Sequence, residues 1–228
     1  MLDAAAVTAV RTAATSAAAT DMLARDDAGD LAILGSGVQA RSHLEAMRLV
    51  RPLRRVRVWS RTRENAERFR DWAARSLSID VEVAASPIAA TADADLICTV
   101  VGTVVPLVEA EHLAAGAHVN AVGAVVLSQR ELTSTAVARC SVFVDSRESE
   151  AGESGDLRAL LTESLVGAGH VRAELGEVLL GRHPGRSGKE EITLYKSLGL
   201  AAQDVASGFA AAQFAAGTGI GTAVPFEL

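Results

Sequence analysis

The run Leu31-Ala-Ile-Leu-Gly35-Ser-Gly37-Val-Gln-Ala40 decides the architecture. Four apolar residues end abruptly in glycines, and an amphipathic stretch to about Val50 follows. This is the order of a buried strand, a tight turn and a helix. The spacing is GxGxxA. Gly35 permits the turn, Gly37 lets a ligand approach the backbone, and Ala40 keeps the helix close to the strand. The free N–H groups and dipole at the start of such a helix favour a phosphate. The turn predicts dinucleotide binding, with Gly35, Ser36, Gly37, Val38, Gln39 and Ala40 around the pyrophosphate.

The kind of dinucleotide depends on the end of the next strand, Arg55-Val-Arg-Val-Trp59. A free ribose 2′-hydroxyl is usually met there by Asp or Glu, and a 2′-phosphate by arginine. The residues present are Ser60-Arg61-Thr62. Ser60 and Thr62 can donate hydrogen bonds, and the Arg61 guanidinium can clamp a phosphate. NADP is therefore expected over NAD, with NAD retained as the alternative.

Working outward, apolar runs alternate with amphipathic segments: a charged helix over 64–75, a strand at 81–84, and Ser86-Pro87 opening a helix. Strands are expected at 96–101, 119–122 and 142–144, with a helix near 132–139. The fold expected is α/β, a Rossmann-like doubly wound parallel sheet. After Ser146 the texture changes. An acidic, glycine-containing stretch covers 149–156, a helix is expected over 171–180, and a Gly/Pro/basic loop over 181–189. A last strand at 192–194 and a small-residue helix at 200–216 follow. The Ala-rich segments at the two ends are expected to pack together.

The 228 residues are 49% hydrophobic but only 4% aromatic, which excludes disorder as the main state and leaves Ala, Val and Leu to fill the core. A net charge of −6 argues against a broad nucleic-acid-binding face. Cys98 and Cys140 lack metal or disulfide spacing and read as buried hydrophobes. The N-terminal stretch lacks a Leu-rich signal core, and no run is long enough to span a bilayer, so a cytoplasmic protein without a membrane partner is expected. No histidine has metal-ligand spacing, and His118 reads as structural. Glu153 and Asp156 read as helix caps, and Arg51, Arg54, Arg55 and Arg57 as a solvated start of a strand. Ser36 and Ser42 have no triad partners, so hydrolysis has no support. No residue stands out as the catalytic acid or base.

Several stretches together resemble the ornithine cyclodeaminase/mu-crystallin family. They are Arg11-Thr-Ala-Ala14, Leu34 to Ala40, Trp59-Ser-Arg-Thr62, Glu64 to Glu67, Gly116 to Gly123, Val144-Asp-Ser146, Glu153 to Asp156, Glu174 to Glu177 and Lys196-Ser-Leu-Gly199. The Ser-Arg-Thr site is closer to the mu-crystallin and ketimine reductase side. The resemblance implies an NAD(P)-binding domain, here 23–199, inserted into a split substrate and dimerisation domain, here 1–22 and 200–228. It implies a homodimer acting on a small imino or amino acid, such as pyrroline-2-carboxylate, by hydride transfer. It also implies that Arg11 binds the substrate carboxylate, Thr12 contacts a cofactor phosphate, and Lys196 and Ser197 lie beside the nicotinamide.

Two departures qualify this. The family carries a long segment before Arg-Thr-Ala-Ala, with a lysine and an arginine used on substrate, and this sequence starts almost at that motif. Part of the substrate domain is therefore expected to be missing, leaving apolar faces uncovered. Val125 stands where cyclodeaminases and alanine dehydrogenases have aspartate, which argues against ornithine cyclodeamination because valine cannot handle a proton. The readings open are an NADP-dependent reductase or dehydrogenase, a non-catalytic NADP-binding protein, and an inert fragment.

Overall fold

The computed structural model describes residues 2–167 and 169–222, side chain of Ala151 apart. Eight strands form a single, wholly parallel sheet: β1 (Asp30–Leu34), β2 (Arg55–Trp59), β3 (Glu82–Val83), β4 (Leu96–Thr99), β5 (His118–Ala121), β6 (Ser141–Val144), β7 (Val171–Glu174) and β8 (Thr193–Lys196). Their spatial order is β3-β2-β1-β4-β5-β8-β6-β7. The chain reverses direction across the sheet between β1 and β4, the switch point where ligands lodge in doubly wound folds.

Both faces of the sheet are covered, as its continuous apolar strands require. On β1, Leu31 and Ile33 pack with Leu44 and Met47 of α2 (Val38–Val50) and Phe69 of α3 (Arg63–Leu77). Ala32 and Leu34 face the opposite layer, with Ile97, Val119, Leu132, Leu157 and Leu194. A third cluster joins Ala19 and Leu23 to Phe143, Tyr195 and Val178, so the end of the first helix belongs to the core. That helix, α1 (Ala4–Leu23), is capped by the Asp3 carboxylate and packs along α2.

The Ser86 hydroxyl caps α4 (Pro87–Thr91), with Pro87 in its first turn, as the sequence predicts. Three readings are corrected. The helix expected over 171–180 is the short edge strand β7 followed by α8 (Leu175–Leu179). Its apolar spacing suits either element, and the side of β6 selects the strand. The 149–156 stretch is two short helices, α6 (Arg147–Glu153) and α7 (Gly155–Thr162), and Ser154 caps the second, not Glu153 or Asp156. Finally, Arg51 and Arg57 are buried. Arg51 donates to Thr20 O, Asp21 O and Ala24 O at the end of α1, and Arg57 to Ala89 O and Ala92 O at the end of α4. Each closes carbonyls that a helix end leaves open.

The last helix, α9 (Ala201–Thr218), packs on α1, as expected for the Ala-rich ends, but none of its residues is buried. Among the described residues no helix is long and apolar enough to cross a membrane.

Candidate functional site

The site is built at the carboxyl ends of β1, β2, β4 and β5. Gly35 continues β1 by donating to Trp59 O (2.8 Å) and adopts φ +124°. A Cβ at Gly35 would come within 2.9 Å of the Val100 side chain and 3.0 Å of Val100 O. Glycine is required there on both counts. Gly37 is different. Its φ is −81°, it is the N-cap of α2 without a side-chain cap, and a Cβ there would meet nothing within 4 Å. The opening turn of α2 also carries no acidic residue. This open, uncapped cradle fits a pyrophosphate.

Beside it, the Ser36 hydroxyl donates to Ser60 Oγ (3.0 Å), tying the glycine turn to the tip of β2. Arg61 and Thr62 are exposed, and among the described residues Arg61 has no ion-pair or hydrogen-bond partner. Thr62 is the N-cap of α3, but its hydroxyl makes no cap bond. These residues, with Asn65 and the Val100–Thr103 segment, line a cavity of about 280 Å³.

A second cavity of about 250 Å³ shares Val100 and Gly102 with the first. It contains Thr8, Arg11, Thr12, Gln39, Gly123, Val125 and Ser197. The fold thus gathers Arg11, Thr12, Gln39 and Ser197 from three distant parts of the chain. Val38 is exposed on α2 and lines neither cavity, and Ala40 is buried against β1's layer.

The polar groups of this second cavity are partly committed. Arg11 donates from Nε to Asp204 (3.0 Å) and from Nη1 to Gln203 Oε1 (3.2 Å), both on α9. Ser197 Oγ donates to Asp145 Oδ2 (3.0 Å), and the same carboxylate accepts from Leu198 N and Gly199 N. Asp145 also accepts from Gln203 Nε2 and from the Tyr195 hydroxyl. Burial and the neighbouring Asp145 charge raise the Tyr195 pKa well above its usual value.

Under the floor lies a buried charge network. Glu131 accepts from Val101 N (2.9 Å), Gly123 N (2.8 Å) and Ala124 N (3.2 Å), joining the segments after β4 and β5. Burial pushes its pKa up to about 7, opposed by the Lys196 charge and by these amides. Asp156 Oδ1 accepts from Glu131 N and Leu132 N, and its other oxygen is 3.5 Å from Lys196 Nζ. Lys196, fully buried, donates to Ala124 O (2.6 Å). So Lys196 lies behind the Gly123–Val125 segment and not in either cavity, whereas Ser197 reaches the second.

Of the histidines, His118 is fully buried against Thr193 and pushed by desolvation to about 3, and His43 is buried against Ser16 and Gln39 O at about 4. Neither faces the cavities. Cys98 and Cys140 are free and buried, with thiols raised by desolvation to about 12.

The profile of the ornithine cyclodeaminase/mu-crystallin family matches residues 1–213. The ketimine reductase mu-crystallin of Macropus fuliginosus is 41% identical over 198 residues, which are 87% of this chain and 59% of that protein. The chain belongs to this family. The solved Thermococcus litoralis Delta(1)-pyrroline-2-carboxylate reductase, in complex with NADH and L-proline, superposes with a TM-score of 0.92 at 37% identity, covering 96% of this chain and 68% of that one. An archaeal alanine dehydrogenase dimer with bound NAD superposes with a TM-score of 0.91 at 30% identity, over 99% of this chain and 69% of that one. The chain spans less than two thirds of the length of the curated relatives quoted first, such as the mu-crystallins.

Ser60, Arg61 and Thr62 line the first cavity and Ser197 and Leu198 the second, with Asp145 holding Ser197 from outside it and Lys196 behind the Gly123–Val125 segment. Residue-by-residue reading gave no role to Glu131, Asp145 or Gln203. The signal for Asp145 was its place directly after a strand; Glu131 carried none, since its partners lie 7 to 30 residues away.

Proposed function

We propose that this chain is the cofactor-holding part of an NADP(H)-dependent oxidoreductase acting on a small cyclic imine of the pyrroline-2-carboxylate type, or on the matching amino acid. The observation that carries the cofactor reading is the tip of β2: an exposed, unpartnered Arg61 between Ser60 and Thr62, beside an uncapped helix start. Gly35 to Ala40 hold the pyrophosphate through backbone N–H groups, and Arg61 with Thr62 and Ser60 takes the 2′-phosphate. A carboxylate at this tip would select a free 2′-hydroxyl instead, which is why NADP is favoured over NAD.

Thr12 and Ser197 line the inner end of the groove, where the nicotinamide belongs, and Arg11, the guanidinium lining it among the described residues, takes the substrate carboxylate by giving up its bonds to Asp204 and Gln203. When bound, the reduced nicotinamide supplies the hydride. The residues of this chain orient the ring and the acid group: Glu131 and Lys196 fix the Gly123–Val125 backbone, and Asp145 fixes Ser197 to Gly199. Segments 1–22 and 200–228 are assigned to a substrate and homodimer domain, and a cytoplasmic setting suits a reductase fed by soluble NADPH. Val125 at the groove argues against ornithine cyclodeamination.

A second reading, NADP binding without turnover, is favoured by the Arg11–Asp204 and Arg11–Gln203 bonds, which a substrate carboxylate must displace. Incubation with NADPH and pyrroline-2-carboxylate separates the two. Reduction predicts saturable, substrate-dependent loss of reduced-nicotinamide absorbance, with Arg11→Ala raising KM at least about tenfold, the scale of one charged hydrogen bond. NADPH binding without oxidation supports the second reading, and absence of both contradicts each.

A further inference from the structure

Val100, Val101, Gly102 and Thr103 after β4, and Val122, Gly123 and Val125 after β5, wall the two cavities of the groove. One fully buried side chain ties these tails together from behind. Glu131 accepts from Val101 N through Oε1, and from Gly123 N and Ala124 N through Oε2. The tails also touch directly, since a Cβ at Gly123 would run into Val101 N and Val101 O. The backbone of Glu131 is pinned as well: its N–H donates to Asp156 Oδ1, and its carbonyl accepts from Leu107 N and Val108 N. A change at this carboxylate is therefore felt by both walls of the groove at once.

The three N–H groups are donors only, and they occupy both oxygens of Glu131. The ionised carboxylate accepts from all of them. Protonation sets an O–H donor against an N–H donor, so at least one bond is lost and one tail is loosened. Facing Glu131 are Lys196 of β8, Asp156 of α7 and Cys98 of β4, whose thiol is pushed up to about 12 and stays neutral. Two buried carboxylates thus share one ammonium, which lies 3.5 Å from Asp156. Burial, opposed by the Lys196 charge and the amides, leaves Glu131 at about 7.

We infer, resting on the dinucleotide reading of the groove, that Glu131 is a positioning residue whose ionised carboxylate sets the separation of the β4 and β5 tails. The dinucleotide is held tightly only when Glu131 is ionised, and binding drives its proton into solvent. Glu131 lines neither cavity and acts only through the backbone it braces. Occupancy of the groove then depends on pH around neutrality.

The test is fluorescence titration of the 228-residue chain with NADH at pH 6, 7 and 8. NADH is used because a 2′-phosphate would itself titrate in this range. The wild type should bind about tenfold more tightly at pH 8 than at pH 6, following the ionised fraction of a group titrating near 7. Glu131→Gln, with one accepting oxygen, should bind at least about tenfold more weakly at pH 8 and lose the pH dependence. A merely structural role would lower the variant's stability and leave that dependence in place. Glu150 of α6 is the other carboxyl raised into this range, to about 8, and Glu150→Gln should keep the dependence. Calorimetry of the wild type at pH 7, in two buffers of different ionisation enthalpy, should show release of about half a proton. It decides the matter even if Glu131→Gln fails to fold. Equal wild-type affinity at pH 6 and pH 8, no proton release, or wild-type affinity in Glu131→Gln would overturn the inference. Absence of NADH and NADPH binding at every pH would contradict the dinucleotide reading, and the inference with it.

Discussion

At the residue scale, the buried ionisable groups give the protein a pH profile that can be worked out in sign. Burial raises Glu131 to about 7 and Glu150 to about 8 from an ordinary 4.5. Above 4.5 the unfolded chain ionises them while the folded chain still holds their protons. Their stabilising effect is thus full below that pH and is lost as pH rises through 7 to 8. His43 and His118 act oppositely, being lowered to about 4 and about 3 from 6.5. Their contribution is present above 6.5 and is lost on acidification through the folded values. Between pH 6.5 and 8 only the glutamates of this set still change, so stability should fall across that window. Glu150→Gln should flatten the fall and be more favourable relative to wild type at pH 8 than at pH 5, by roughly 1–3 kcal/mol. Urea unfolding at the two pH values checks this, and equal differences at both would contradict it.

At the element scale, the glycine turn separates fold from function within three residues. Gly35 holds a positive φ against Val100, so Gly35→Ala should destabilise the chain by roughly 1–3 kcal/mol, read from its urea midpoint. Gly37 has an ordinary φ and open space, so Gly37→Val should cost only the change of N-cap residue, at most about 1 kcal/mol. It should nevertheless weaken NADPH binding at least about tenfold by filling the cradle. Comparable loss of stability in both variants would show that the turn is structural only. This element was legible in the sequence because strand, turn and helix are contiguous: α2 and β2 run over Val38–Val50 and Arg55–Trp59, as their periodicity predicts. The neighbourhood of β7 was less legible, since four residues at a sheet edge carry no decisive period and their partner β6 lies far back in the chain. Arg51 and Arg57 look like surface charges in a basic run, and only the folded chain brings helix-end carbonyls to them. The same reason hides Glu131, Asp156 and Lys196, whose contacts join segments up to 72 residues apart.

At the scale of the whole molecule, α9 is the outlying element. Apart from Gln203, Asp204, Ser207 and Gln213 it is built of apolar and small residues, yet Val205, Phe209 and Phe214 are 65–72% exposed and no residue of the helix is buried. A helix of that composition ordinarily lies inside a larger core, and extended apolar patches are unusual on monomers. The chain on its own should therefore self-associate through α9 and the facing part of α1, where Val10 is also exposed. Size-exclusion chromatography with light scattering should show dimers or larger species that Phe209→Glu with Phe214→Glu reduces to monomer. A stable wild-type monomer would contradict this. The groove itself draws on both ends of the chain, with Arg11 and Thr12 from α1 meeting Ser197 after β8, so its cofactor is a property of the whole. The most direct measurement is a fluorescence titration of wild type and Arg61→Ala with NADPH and NADH. The wild type should bind NADPH more tightly than NADH, with a selective loss of about 1.5–3 kcal/mol for NADPH in the variant, the value of one charged hydrogen-bonded contact. Equal affinities of the wild type for the two cofactors, or an equal loss for both in Arg61→Ala, would contradict it.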